Sequence, residues 1–267
     1  MANLFQTLEV TAARGAEGLM PEARGCIAAA LLALQEPDGG FAGLDGNSDP
    51  YYSLFAWLGL RALGAAYDRN RLCAYMAAHR RDANAVDAQC AAFVRACEGH
   101  PPHLPWPTPG TALLRGDTHG VYTAFMLALA LGDVPRWLAR LLWRRQKRLF
   151  AASPVEHAPT PRLAAGLLLA SLAGECASDI LSVLTSRRCA NGGFASAPKA
   201  LPDLLATAVA RFSIGNQPSS IGGEREADLA FVEACWRTDG LFGASPTAGR
   251  GDAEHTFYGL LALGTCR

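Results

Sequence analysis

Three observations in the amino-acid sequence predict an all-α protein built from repeated helical hairpins. Alanine and leucine fill the apolar runs while valine, isoleucine and threonine are sparse, and unbranched side chains lose less rotamer freedom in a helix. A glycine turn carrying one phenylalanine recurs, each time followed by an aspartate and an apolar run that ends in glycine. The segments that precede these turns place charge and apolar residues at helical spacing.

The first copy is "LQEPDGGFAGLDGNSDPYYSLFAWLGLRALG", Leu34 to Gly64. The second, "SRRCANGGFASAPKALPDLLATAVARFSIG", repeats the glycine pair and phenylalanine at Gly192, Gly193 and Phe194, then Asp203. The third, "CWRTDGLFGASPTAGRGDAEHTFYGLLALG", has Asp239, Gly240 and Phe242 ahead of Asp252 and His255. Two weaker copies lie between, in "RGDTHGVYTAFMLALALG" from Arg115 and "TPRLAAGLLLASLAGE" from Thr160. Each unit reads as an outer amphipathic helix, a loop and an inner helix that is apolar nearly all round. In the outer helix "EREADLAFVEACWR", Leu229, Ala230 and Val232 to Ala234 alternate with charge.

Inner helices are predicted to start near Asp49, Ala85, Thr118, Pro161, Asp203 and Asp252, a spacing of about 33 to 52 residues, in the range of stacked helical pairs. Asp49 before Pro50, and Asp203 after Pro202, suit N-terminal caps, while Gly64, Gly132, Gly215 and Gly264 suit C-terminal ones. About six hairpins could close a ring with parallel inner helices. Their polar first turns would then gather at one mouth, where chemistry would be sited.

Bulk composition narrows the partners. Half of the 267 residues are hydrophobic, only 18% are charged, and 24 Lys+Arg balance 24 Asp+Glu, which argues against a nucleic-acid binder. Apolar windows such as "GVYTAFMLALALG" fall short of the ~20 residues a bilayer requires, so no transmembrane helix is expected. The N-terminus carries Glu9 and Glu17 and no basic start with an apolar block, which predicts a cytoplasmic protein. Eight scattered cysteines with no CxxC pair read as buried small apolar residues in a reducing compartment. The basic run "RWLARLLWRRQKRLF", Arg136 to Phe150, has an apolar and a cationic face, and suits a solvated outer helix, an acidic partner, an anionic membrane or phosphate.

With Gln35, Asp38, Gly39, Gly40 and Phe41, and their partial repeats "CANGGF" and "TDGLFG", the chain resembles the prenyltransferase and squalene-oxidase repeat family, which includes protein prenyltransferase β-subunits and squalene–hopene-type cyclases. Residues 1–20 form an N-terminal segment in this reading, and 21–267 a single domain. The resemblance implies an α/α toroid with an apolar central funnel suited to an isoprenoid. In protein prenyltransferases zinc is held by an aspartate and a cysteine two residues apart and by a histidine at the start of the next inner helix. Asp203 and His255 match the aspartate and histidine, but Leu205 stands at the cysteine position. Leucine cannot ligate a metal, and thiol alkylation depends on zinc lowering the thiol pKa.

Asp252 and Glu254 flank His255 and could complete an oxygen-rich site with Asp203; they serve equally as helix N-terminal charges. His119 and Tyr122, in "THGVYTAF", match the family's diphosphate-contacting motif, though one hairpin earlier than the family places it. Lys199 is the local cation for a diphosphate, while a tyrosine of the family is replaced by Ala206. The resemblance thus assigns Asp203, His255 and Asp252 to catalysis, with zinc as an expected cofactor. It assigns His119, Tyr122, Lys199 and Glu254 to an isoprenoid substrate, and it implies a partner subunit. The other readings are a non-catalytic toroid serving a complex and a small terpene cyclase. For the latter, "GLDGNSD" supplies only Asp45 and Asp49 of a DxDD-type acid motif. The proline-rich "PPHLPWPTPG" is expected to cross the mouth with Trp106 as lid or anchor.

Overall fold

The computed structural model describes residues 4–79, 85–100, 136–151, 154–216 and 225–267, and these are mostly α-helical. In chain order they form α1 (Leu4–Glu17), α2 (Pro21–Ala33), β1 (Phe41–Ala42), β2 (Ser48–Asp49), α3 (Pro50–Leu63), α4 (Arg69–His79), α5 (Ala85–Cys97) and α6 (Arg136–Ala151). Then come α7 (Thr160–Ala173), α8 (Ser178–Ser186), β3 (Phe194–Ala195), β4 (Pro202–Asp203), α9 (Leu204–Gly215), α10 (Arg225–Ala234) and α11 (Ala253–Cys266). Inner helices α3, α5, α7, α9 and α11 begin within a residue of the predicted starts. The start predicted near Thr118 lies outside the described residues, as do the "PPHLPWPTPG" stretch, His119 and Tyr122.

The three glycine turns share one construction. Phe41 pairs with Asp49, Phe194 with Asp203, and Phe242 with Asp252, all antiparallel, so the aspartate that opens each inner helix lies opposite the turn's phenylalanine. Each phenylalanine is buried, and its N–H donates to a hydroxyl in the first turn of its own inner helix: Ser53 Oγ at 2.7 Å, Thr207 Oγ1 at 2.9 Å and Thr256 Oγ1 at 3.0 Å. Each aspartate caps its helix by accepting from the N–H three residues on, at Tyr52, Ala206 and His255. Gly39, Gly192 and Gly240 hold φ of 96°, 86° and 86°, the left-handed region where a Cβ is strained.

Packing follows the repeat. α2 lies on α3, α4 on α5, α6 and α8 on α7, and α10 on α11. The inner helices neighbour one another in the order α5, α3, α11, α9, α7, so the first meets the last. Each turn packs on the outer helix of the next unit: a Cβ at Gly39 would lie 2.5 Å from the Arg71 carbonyl oxygen of α4, and one at Gly192 2.0 Å from that of Ala227 on α10. The last turn, at Gly240, packs instead on the first outer helix, beside Cys26 and Ala30 of α2. Inner helices are buried on nearly all sides, whereas α2 buries only Ile27 and Leu31 and α8 only Ile180 and Leu184.

Several expectations are corrected. Gly264 is not a C-terminal cap, since α11 runs on to Cys266; it is where α1 crosses α11. Gly215 is the last helical residue, and Asn216 takes the cap. On α10 the buried residues are Asp228, Phe231 and Val232, while Ala230 and Ala234 are exposed, because Asp228 is drawn inward by two arginines. Cys26 and Cys176 are exposed rather than buried: Cys26 lies on the thinly covered outer helix α2 and Cys176 in the connection between α7 and α8. Cys97 and Cys235 fit the expectation of inert thiols, burial pushing each up to about 12. No helix among the described residues is long and apolar enough to cross a membrane.

The N-terminal segment contains a helix that packs on the inner layer. α1 buries Phe5, Leu8, Ala12, Gly15 and Ala16, one face at helical spacing, against α11 and α3. Its contacts fall on the C-terminal halves of the inner helices. Phe5 meets Phe93 of α5 edge-on with centroids 5.2 Å apart, Glu9 pairs with Arg61 of α3 at 2.7 Å, and Gly15 abuts Leu260 and Gly264 of α11. α1 therefore covers the inner helices at the end opposite to their aspartate caps.

Candidate functional site

The aspartate-capped ends of α3, α9 and α11 converge. The capping pattern makes this a property of the repeat: the residues two and three places after each aspartate are Tyr51 and Tyr52, Leu205 and Ala206, and Glu254 and His255. Those six positions share a register, and four of them carry polar side chains. Backbone bonds also tie successive units here. The Thr160 N–H donates to the Ser196 carbonyl at 2.8 Å and the Leu204 N–H to the Ala244 carbonyl at 2.9 Å, while the Arg250 guanidinium reaches the Leu44 carbonyl.

Asp252, Glu254 and His255 form a cluster whose ligand-type atoms lie within 4.8 Å of one another. Asp252 is used twice: Oδ1 caps the helix at 2.8 Å from the His255 N–H, and Oδ2 lies 2.8 Å from His255 Nδ1. A carboxylate so placed assigns the proton to Nδ1 and leaves Nε2 as the other ring nitrogen for a ligand. Glu254, 8% exposed, accepts a 2.5 Å hydrogen bond from the Tyr51 hydroxyl across the α3–α11 contact. Asp203 is close enough for its charge to act on both Glu254 and His255.

The electrostatics follow from burial and like charge. Burial raises the Glu254 carboxyl, opposed by the Tyr51 hydrogen bond and His255, and reinforced by Asp252 and Asp203. For His255 burial works downward, but the hydrogen bond to Asp252 and the charges of Asp252, Glu254 and Asp203 outweigh it, and the pKa rises. Tyr52 is pushed up to about 12, by burial first and then by Asp252, Glu254 and Asp49. This end of the inner layer is acidic, and His255 and Arg250 are cations beside it.

A pH dependence results. A raised histidine pKa contributes stability that is fully present below the unfolded value of 6.5 and is lost as pH rises through the higher folded value. Glu254, also raised, acts in the same direction above its ordinary 4.5, because the buried carboxylate then has to be charged. Melting temperature is expected to fall as pH rises through and above 6.5, and His255→Gln to flatten that fall. An unchanged slope in the variant would show that His255 is not its source.

Of the residues expected at the site, Asp203, Asp252, Glu254 and His255 are brought together. Lys199 is exposed on the β3–β4 loop, in left-handed backbone with φ of 63°. His119 and Tyr122 fall outside the described residues. Tyr51 and Tyr52 were missed by sequence reasoning. The available signal was their register, two and three residues after Asp49, matching Glu254 and His255 after Asp252.

The donor set bears on the metal. Leu205, half-buried against the core, offers no ligand where a thiolate would stand, so a thiol-activating zinc does not fit this chain. Carboxylate and imidazole donors suit a hard or borderline divalent cation in kind. The 4.8 Å spread would have to contract toward the ~3.4 Å between ligands of a tetrahedral ion with bonds of about 2.1 Å.

Fold and site together define a class: a helical-hairpin repeat protein with a carboxylate–histidine cluster where its inner helices begin. No protein-family model matches the chain, and no curated protein matches it.

Proposed function

We propose that the hairpins close into an α/α toroid of the prenyltransferase β-subunit type, and that it binds an isoprenoid diphosphate or similar apolar ligand through the mouth at Asp203, Asp252, Glu254 and His255. Closure is supported by the last turn packing on α2, as each earlier turn packs on the outer helix after it. The observation that carries the binding reading is the convergence of Tyr51, Glu254, His255 and Asp252 from the first and last inner helices. Buried polar groups that meet at a shared end can fix the head of a ligand whose apolar tail lies among the inner helices.

The residues support binding rather than zinc-assisted transfer, since Leu205 removes the thiolate ligand. A diphosphate at this acidic end requires positive charge. A divalent cation held by Glu254 and the neutral His255 imidazole would supply it. Tyr51 and Asp252 position the two side chains, each by one hydrogen bond. The test is thermal unfolding with farnesyl or geranylgeranyl diphosphate, with and without zinc or magnesium. At a hundredfold excess over Kd the expected stabilisation is about 2.7 kcal/mol, a rise of several degrees. That rise should vanish in Glu254→Gln and His255→Ala. No response to either diphosphate with either metal overturns the reading.

A second reading, a ring kept as an assembly subunit, is favoured by the same Leu205, because a retired catalytic mouth needs no metal thiolate. Co-purification of one stoichiometric partner chain, with no ligand response in the melt, selects it.

A further inference from the structure

Helix α6 has two opposite stripes of identical spacing. Ala139, Trp143, Gln146 and Phe150 are buried, and Trp143 and Phe150 belong to the core shared with α7. Offset by two residues, or about 200° around the helix, lie Trp137, Leu141, Arg144 and Arg148. Trp137 is 67% and Leu141 58% exposed, and both arginines are exposed. From Arg136 to Ala151 the helix has basic residues at 136, 140, 144, 145, 147 and 148 and no acidic one, in a chain whose overall charge is zero.

We propose that this stripe is a docking surface for an anionic lipid bilayer, with α6 lying in the plane of the headgroups. Charge complementarity identifies the occupant: Arg144 and Arg148, on a helix with no acidic residue of its own, meet lipid phosphates wherever they land, without the register that paired charges on an acidic protein demand. The apolar residues are of the matching kind. Tryptophan is suited to the headgroup boundary, and one turn away Leu141 adds a side chain long enough to enter the acyl edge. A single convex helix offers no groove for a peptide. Its buried stripe fixes it to α7, so the surface is presented ready-formed and binding requires no folding step. The inference stands on α6 alone, independently of the ligand proposed for the mouth.

Sedimentation of the full chain with vesicles tests it. Binding is expected to vesicles of equal parts phosphatidylcholine and phosphatidylglycerol and not to phosphatidylcholine alone, and salt should release it. Arg144→Glu with Arg148→Glu should weaken binding by about 25-fold or more, at about fivefold for each cation lost. Trp137→Ala with Leu141→Ala should weaken it by at least about tenfold. Circular dichroism and melting of both variants should match the unmodified chain, since all four side chains face solvent. Equal binding to the two vesicle types, or variants that bind like the parent, overturns the proposal. So does retention on immobilised polyglutamate without sedimentation, which would assign the stripe to an acidic protein.

Discussion

Asp228→Ala is expected to destabilise the fold by about 3–5 kcal/mol, the largest effect of any single substitution considered. Asp228 is fully buried on α10 and accepts from the Gly193 N–H at 2.9 Å, from Arg188 at 3.2 Å and from the Arg211 guanidinium. Arg211, on α9, also donates to the Thr265 hydroxyl and carbonyl of α11 at 3.1 and 3.0 Å. One carboxylate thus links a glycine turn and the helices α9, α10 and, through Arg211, α11. Alanine would leave two guanidiniums, 19% and 12% exposed, without their counter-charge, and would orphan a buried N–H. For a chain of this size the melting temperature should drop by roughly 10 °C. Asp228→Asn keeps an acceptor for Gly193 and should cost less. Urea unfolding measures both, and a loss below about 1 kcal/mol for alanine would mean that water reaches the arginines and replaces the carboxylate.

Gly264→Ala is the second large effect. Where α1 crosses α11, a Cβ at Gly264 would sit 1.8 Å from the Thr11 carbonyl oxygen, and one at Gly15 would sit 1.9 Å from that of Leu260. Backbone stands on both sides, so no side-chain rotation relieves the clash and the helices must separate. Overpacking of this kind costs about 1–3 kcal/mol, and loss of α1 from its seat would add to it. The expected result is a lower melting temperature together with earlier proteolysis within α1. Gly25→Ala is the control. No atom lies within 4 Å of its added methyl, and in mid-helix alanine should stabilise by about 0.5–1 kcal/mol. A Gly264→Ala protein as stable as the parent would show that the two helices are less tightly apposed.

Residues close together in the chain account for the features that were legible in the sequence. The glycine turn, the aspartate cap three residues from its N–H, and the apolar inner helix are all local, so three copies could be aligned by eye and the inner-helix starts at Asp49, Ala85, Pro161, Asp203 and Asp252 read off. Asp203 and His255 were singled out by the family resemblance, and Asp252 and Glu254 because they flank His255 in the chain. The hydroxyls of Ser53, Thr207 and Thr256, one place beyond the N–H that each aspartate caps, escaped notice although they secure every turn.

By itself, then, the sequence determined the helical class, the repeat and the acidic character of the inner-helix starts, because short-range sterics and hydrogen bonds decide these. Only the tertiary structure decided who meets whom. Tyr51 reaches Glu254 across 203 residues of chain, and α1 settles on the far end of α11 through Gly15 and Gly264, the second of which reads in the sequence as an ordinary C-terminal cap. Asp228, on a helix patterned as if it faced water, is buried because Arg188 and Arg211 arrive from elsewhere. In each case the deciding energy is a non-local contact, and the pattern of a single helix does not contain the surface that will be laid against it.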